Sequence, residues 1–138
     1  MAEGSQKTVL MADDDTEDCF LATEAFGESG AKAAFSCVLD GVELMDHLAE
    51  HSRSDAKRLP DLILLDLNMP RKDGRQALVE IKSEPALQNI PIVILTTSQE
   101  KKDEDLTLKA GAELFITKPA TFDEWVEMMK SLAKKWLR

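Results

Sequence analysis

Only two cysteines, Cys19 and Cys37, occur in the chain. That is too few for a disulfide framework. Their flanks read as element interiors, so each thiol is expected to serve as a small buried hydrophobe. Long apolar runs are missing too: none approaches the roughly 18 residues of a membrane span. The start, Met1 to Gln6, lacks the basic-then-apolar order of a signal peptide and is expected to be frayed over residues 1–6. Together these absences predict a cytoplasmic protein. Positive charge is scarce, with 17 Lys and Arg against 26 Asp and Glu, a net of −9. Such a surface repels phosphate backbones and anionic lipid, which argues against nucleic acid or membrane as a partner. Repeats, low-complexity tracts and internal linkers are absent. What is there is one domain's worth of chain, 138 residues with 43% hydrophobic and 31% charged, enough for a single core without staples.

Short apolar runs alternate with helical patterns. Thr8–Ala12, Ala34–Leu39, Leu62–Asp66, Ile92–Thr96 and Leu114–Ile116 read as buried strands. Between them the apolar spacing predicts helices. The first runs from Asp15 to about Glu28, with Asp15 or Thr16 as its cap and Gly27 and Gly30 as its stop. Others start near Val42, Ala77 and Gln99. The last is the clearest: Thr121-Phe122-Asp123-Glu124 has capping-box form, and apolar residues follow at helical period to Trp136. Continuous apolar strands alternating with helices predict an α/β domain, a doubly wound five-stranded parallel sheet covered on both faces. Ligands in such folds sit beyond the carboxyl ends of the strands, where strand order reverses.

Those ends carry unusual residues. Asp13, Asp14 and Asp15 follow the first strand, Asp66 ends the third, Thr96 and Thr97 the fourth, and Lys118 follows the fifth. Two carboxylates about 4 Å apart repel by about 4 kcal/mol at an effective dielectric near 20. A cluster of them is tolerable only if it takes up protons or binds a cation, and oxygen ligands of this kind suit Mg²⁺. With a cation present, one carboxylate is free to attack phosphorus, and a hydroxyl and an ammonium can hold the phosphoryl oxygens.

In these spacings the chain resembles the receiver domain of two-component response regulators, a flavodoxin-like (CheY-like) fold. An acid pair follows strand one, Leu-Asp-Leu-Asn-Met-Pro surrounds Asp66, and Gly74 lies eight residues on. Thr96 comes thirty residues after Asp66, and Lys118-Pro119 twenty-two further. The resemblance spans about Lys7 to Leu137. Within the family, residues 67–75 and 94–98 look most like single-domain receivers that partner phytochrome-type histidine kinases. The resemblance implies Asp66 as phosphoacceptor, and Asp14 as a direct Mg²⁺ ligand with Asp13 acting mainly through water. It also makes the Asn68 backbone carbonyl a further ligand and sets Thr96 and Lys118 on the phosphoryl group. It places the switch aromatic at Phe115 and implies a cis Lys118-Pro119 bond. Phe115 stands where tyrosine is commoner, and Thr97 where a smaller residue is commoner, which narrows the pocket mouth. The implied donor is a sensor histidine kinase or a phosphotransfer protein. Nothing follows the last helix, so output is expected through a downstream protein target.

Other readings compete. The chain could be a phosphorelay intermediate or a phosphate sink. A small Mg²⁺-dependent aspartyl phosphatase is disfavoured, because Asn68 stands two residues after Asp66 where such enzymes carry a second aspartate. The expected chemistry is therefore self-phosphorylation and its reversal, not an enzyme's turnover. His47 and His51 stand four apart, a spacing that can bind zinc, but nothing in the sequence completes the site and a surface helix is favoured. The last helix is long enough to overhang its sheet, which predicts an uncovered patch at Trp136 and Leu137 suited to a partner or to a homodimer.

Overall fold

The computed structural model describes residues 6–54 and 58–137, so the expected frayed start lies outside them apart from Gln6. Strands and helices alternate as the hydrophobic pattern predicts. β1 (Lys7–Ala12) leads to α1 (Thr16–Glu28), β2 (Ala33–Val38) to α2 (Gly41–Ser54), and β3 (Leu62–Leu65) to α3 (Gly74–Ser83). β4 (Ile92–Thr96), α4 (Lys101–Lys109), β5 (Leu114–Thr117) and α5 (Phe122–Trp136) complete the chain. All neighbouring strands are parallel, in the order β2-β1-β3-β4-β5. The chain reverses its direction of travel across the sheet between β1 and β3, which therefore lie side by side.

Successive strand residues face opposite sides, and this sorts the apolar runs into two cores. Leu10, Ala12, Ile63, Leu65, Ile92 and Ile94 pack with Leu44 and Leu48 of α2 and Ala77, Leu78 and Ile81 of α3. Val9, Met11, Leu62, Leu64, Val93 and Leu95 pack with Ala22, Ala25 and Phe26 of α1 and with Trp125, Met129 and Leu132 of α5. Because β1, β3 and β4 are covered on both faces, they need no polar alternation, and their sequences show none.

Local chemistry starts and stops the helices. Asp15 caps α1, its carboxylate accepting from the N–H groups of Glu17 and Asp18. Thr121 and Glu124 form the expected reciprocal capping box on α5. α1 continues through Gly27, and the chain turns at Gly30 with φ +81°, so only the second of the two expected stop glycines does that work. Trp136 and Leu137 are half-buried and pack against the second core, so the uncovered patch expected there is not formed.

The cysteines also depart from expectation. β2 lies along the outer edge of β1 and ends beside the first turns of α1. Cys37 and Cys19 are there with Cα atoms 6.3 Å apart, and they form a disulfide. Two thiols 18 residues apart gave no local sign of this, because the pairing is made by sheet topology. Closing a loop of this length limits the unfolded chain, so reduction is expected to lower stability by about 3 kcal/mol. The buried members of both cores other than Cys19 and Cys37 do not depend on the bond, so the reduced protein is expected to stay folded. Urea unfolding with and without reductant checks this, with a Cys19→Ser, Cys37→Ser variant as the reductant-insensitive control. Equal midpoints for oxidised and reduced wild type would show that the bond adds nothing.

Candidate functional site

The side-by-side exit of β1 and β3 brings the predicted acids together. Asp13 N–H donates to Val38 O at 3.0 Å, and Asp66 N–H to Ala12 O at 3.0 Å, so sheet hydrogen bonding continues one residue past the strands and aims both side chains at one point. Carboxylate oxygens of Asp13, Asp14 and Asp66 lie within 4.8 Å of one another. Asp13 is fully buried, Asp66 nearly so, and Asp14 is open to solvent. Gly74 N–H donates to Leu67 O at 2.8 Å and holds the start of α3 against the exit of β3.

Lys118 enters from the end of β5, with its N–H donating to Thr96 O at 2.8 Å. Its ammonium lies 2.7 Å from Asp13 Oδ2, 2.7 Å from Asp18 Oδ2 and 3.4 Å from Asp66 Oδ2. The Lys118-Pro119 bond is trans, contrary to the cis bond that the resemblance implies. Trans is the ordinary state of an X-Pro peptide, and with it Lys118 Nζ stands within ion-pair distance of the three carboxylates. Thr96 is buried, and its Oγ1 accepts from Ser98 N–H at 3.3 Å. Phe115 pairs in register with Ile94 and is half-buried against the first core. Asn68 is exposed, and its N–H points at Asp66 Oδ1 from 3.5 Å.

Several residues that the sequence reading passed over also shape the site. Asp18 is one: its carboxylate accepts from the Lys118 ammonium at 2.7 Å. Asp40 caps α2 through Glu43 N–H and takes two bonds from the Arg71 guanidinium, at 2.9 and 3.2 Å. Arg71 sits in the β3–α3 loop with φ +67°, a left-handed conformation that this clamp helps to hold. Arg75 makes a two-pronged pair with the buried Asp103 of α4, at 2.9 Å each, and Ser98 Oγ donates to the same carboxylate at 2.8 Å. Paired charges on α3 and α4 would have been the signal, but their spacing of 28 residues hides it. His47 and His51 stack with centroids 4.4 Å apart, and no third ligand joins them among the described residues.

Electrostatics mark the acid cluster as unfinished. Burial chiefly pushes the Asp13 carboxyl up to about 6, with the Asp66 charge adding, against the pull of Lys118 and the Asp15 N–H. For Lys118 burial alone would lower the pKa, but the neighbouring Asp13 and Asp18 carboxylates outweigh that and hold it above the usual lysine value. Asp13 Oδ2 is close to Lys118 yet receives no well-directed hydrogen bond. A buried carboxylate oxygen left in that state, beside two more carboxylates, fits a divalent cation bound through hard oxygen ligands.

The Asp13 shift has a measurable sign. The folded chain holds this proton more tightly than the unfolded chain, with a pKa of about 6 against 3.8. Ionising Asp13 therefore destabilises the metal-free fold above about pH 6, and the penalty is relieved as pH falls through 6 towards 3.8. His47 acts oppositely: burial chiefly lowers its pKa, so acid charges it at the fold's expense. Comparison with Asp13→Asn separates the two. In chelator, the urea midpoint of wild type is expected to rise relative to Asp13→Asn between about pH 7 and about pH 5. Parallel profiles would remove Asp13 as the source.

Comparison with known proteins follows the same lines as the geometry. A family model described as response regulator receiver domain matches residues 9–130. Response regulator Rcp1 of Synechocystis sp. (strain ATCC 27184 / PCC 6803 / Kazusa) is 33% identical over 131 residues, covering 95% of this chain and 89% of its own. Among solved structures, the phosphorylated cyanobacterial phytochrome response regulator RcpA superposes with a TM-score of 0.85 at 36% identity, over 96% of this chain and 94% of that one. The Mn²⁺-bound form of Rcp1 gives 0.83 at 32% identity, over 96% and 95%. No helix among the described residues is long and apolar enough to cross a membrane.

Proposed function

Because the chain belongs to the response regulator receiver family, a family of signalling domains, we propose that Asp66 is the group that takes up phosphoryl in this two-component regulator. The observation that carries this is the meeting of Asp13, Asp14 and Asp66 beside Lys118 at the β1–β3 reversal. An Asp66 oxygen attacks phosphorus, the new P–O bond forms as the P–N bond of a phosphohistidine donor breaks, and the imidazole leaves. The phosphoryl group brings roughly −1.5 to −2 charges near neutral pH. Lys118 and the Thr96 hydroxyl are the chain's own groups placed to hold its oxygens. Mg²⁺ is the proposed cation, held by Asp14 directly, Asp13 mainly through water, Asp66 and the Asn68 carbonyl. It would supply the charge neutralisation that lets two anionic groups approach.

Two of the solved relatives are phytochrome or bacteriophytochrome response regulators by name, so a phytochrome-type histidine kinase in the cytoplasm is the proposed donor. Drawing Thr96 towards the phosphoryl group vacates space beside β4. Phe115, on the neighbouring strand, is the side chain that would fill it and alter the surface read by a downstream protein. The test is incubation with Mg²⁺ and a radiolabelled phosphohistidine donor. An alkali-labile label on Asp66 supports the reading. A label on another residue, or none, removes it.

A further inference from the structure

Lys118 is shared unequally among its acids. Its ammonium sits 2.7 Å from Asp13 and 2.7 Å from Asp18, but 3.4 Å from Asp66. Asp13 and Asp66 belong to the carboxylate trio fit for a cation, and Asp18 does not. The Asp18 carboxylate meets only Lys118 among the described residues. It is offered from a fixed backbone: its own N–H is taken by the capping carboxylate of Asp15, and the next residue is tied to Cys37. The side chain is 21% exposed, so its charge is partly shielded but not dissipated.

An ammonium has three N–H donors, and phosphoryl oxygens on Asp66 must draw on the same three. We propose that Asp18 is a positioning residue that competes with phosphorylated Asp66 for Lys118, and so sets how tightly the protein holds its phosphoryl group. The proposal deepens the function above and rests on Asp66 being the acceptor. Asp13 is a weaker competitor in the phosphorylated state, because it also offers a carboxylate oxygen to the cation site and its Oδ1 accepts from the Asp15 N–H. Asp18 has no such second use.

Beryllofluoride, which mimics a phosphoryl group on a carboxylate, reports this balance without turnover. Its affinity is to be measured by calorimetry in Mg²⁺. Asp18→Asn keeps the side chain's shape and removes its charge, and it is expected to bind about tenfold tighter than wild type, the scale of one charge-assisted hydrogen bond. Asp18→Glu restores the charge and should return towards wild type. In a Lys118→Met background the Asp18→Asn step should change nothing, because the contested ammonium is gone. An unchanged affinity in Asp18→Asn overturns the proposal. So does a gain that persists without Lys118, since that is direct repulsion between Asp18 and the anion. Failure of wild type itself to take beryllofluoride overturns the acceptor reading, and the proposal with it.

Discussion

Asp66→Asn is expected to abolish phosphoryl uptake from a phosphohistidine donor while leaving the fold intact or more stable. The loss follows from chemistry: an amide oxygen is no nucleophile at neutral pH, and removal of a nucleophile costs about a thousandfold or more in rate. The stability follows from the surroundings. Asp66 lies in a trio of carboxylates within 4.8 Å and raises the pKa of buried Asp13 by its charge. Asparagine keeps the volume and relieves that repulsion. It gives up a contact to Lys118 at 3.4 Å, the longest of the three that the ammonium makes. The balance is on the order of 1 kcal/mol in favour of the variant in metal-free buffer. Label incorporation and urea unfolding measure the two parts. Uptake at the wild-type rate would disprove the acceptor assignment, and a large loss of stability would show that Asp66 holds the pocket together.

Gly74→Ala should be strongly damaging for a single added methyl group. A Cβ at position 74 would lie 2.1 Å from Asp66 O and 2.8 Å from Leu67 Cα. These are backbone atoms, and the Gly74 N–H bond to Leu67 O holds the two segments in that approach. Nothing flexible can give way, so the exit of β3 must part from the start of α3. A cost of about 3 kcal/mol is expected. Phosphoryl uptake should fall further than stability alone explains, by about a hundredfold, because Asp66 is displaced from its line of attack. Gly27→Ala is the control. It lies inside α1 with no atom within 4 Å of a built Cβ, so it should be neutral or stabilise by about 0.5–1 kcal/mol. Equal behaviour of the two variants would contradict the steric argument.

Much of the fold was legible in the residues because its signals are local. Continuous apolar runs such as Ile63-Leu64-Leu65 mark strands buried on both faces, and Thr121 with Glu124 marks the start of α5 through contacts three residues apart. Asp13, Asp14, Asp66, Thr96 and Lys118 were legible for a related reason. Each stands directly at a strand end, and parallel strands must send those ends to one side of the sheet.

What stayed hidden depends on separations that only the folded chain closes. Asp18 is 100 residues from Lys118; only the packing of α1 against α5, which begins just past Lys118, makes it a partner of that lysine. The Cys19–Cys37 disulfide arises because β2 pairs outside β1 and ends against α1, an arrangement set by strand order and not by cysteine spacing. Arg75 and Asp103 meet only because α3 and α4 lie side by side. The apolar stripe of α5 was legible, but whether Trp136 lay bare or covered was not, because that depends on how far the second core extends beneath the last turn. Sequence by itself therefore determined which groups stand at the strand ends and what chemistry they are capable of. The tertiary structure decided which groups share a cation site, a lysine or a covalent bond, because those choices rest on distances between segments that no local pattern encodes.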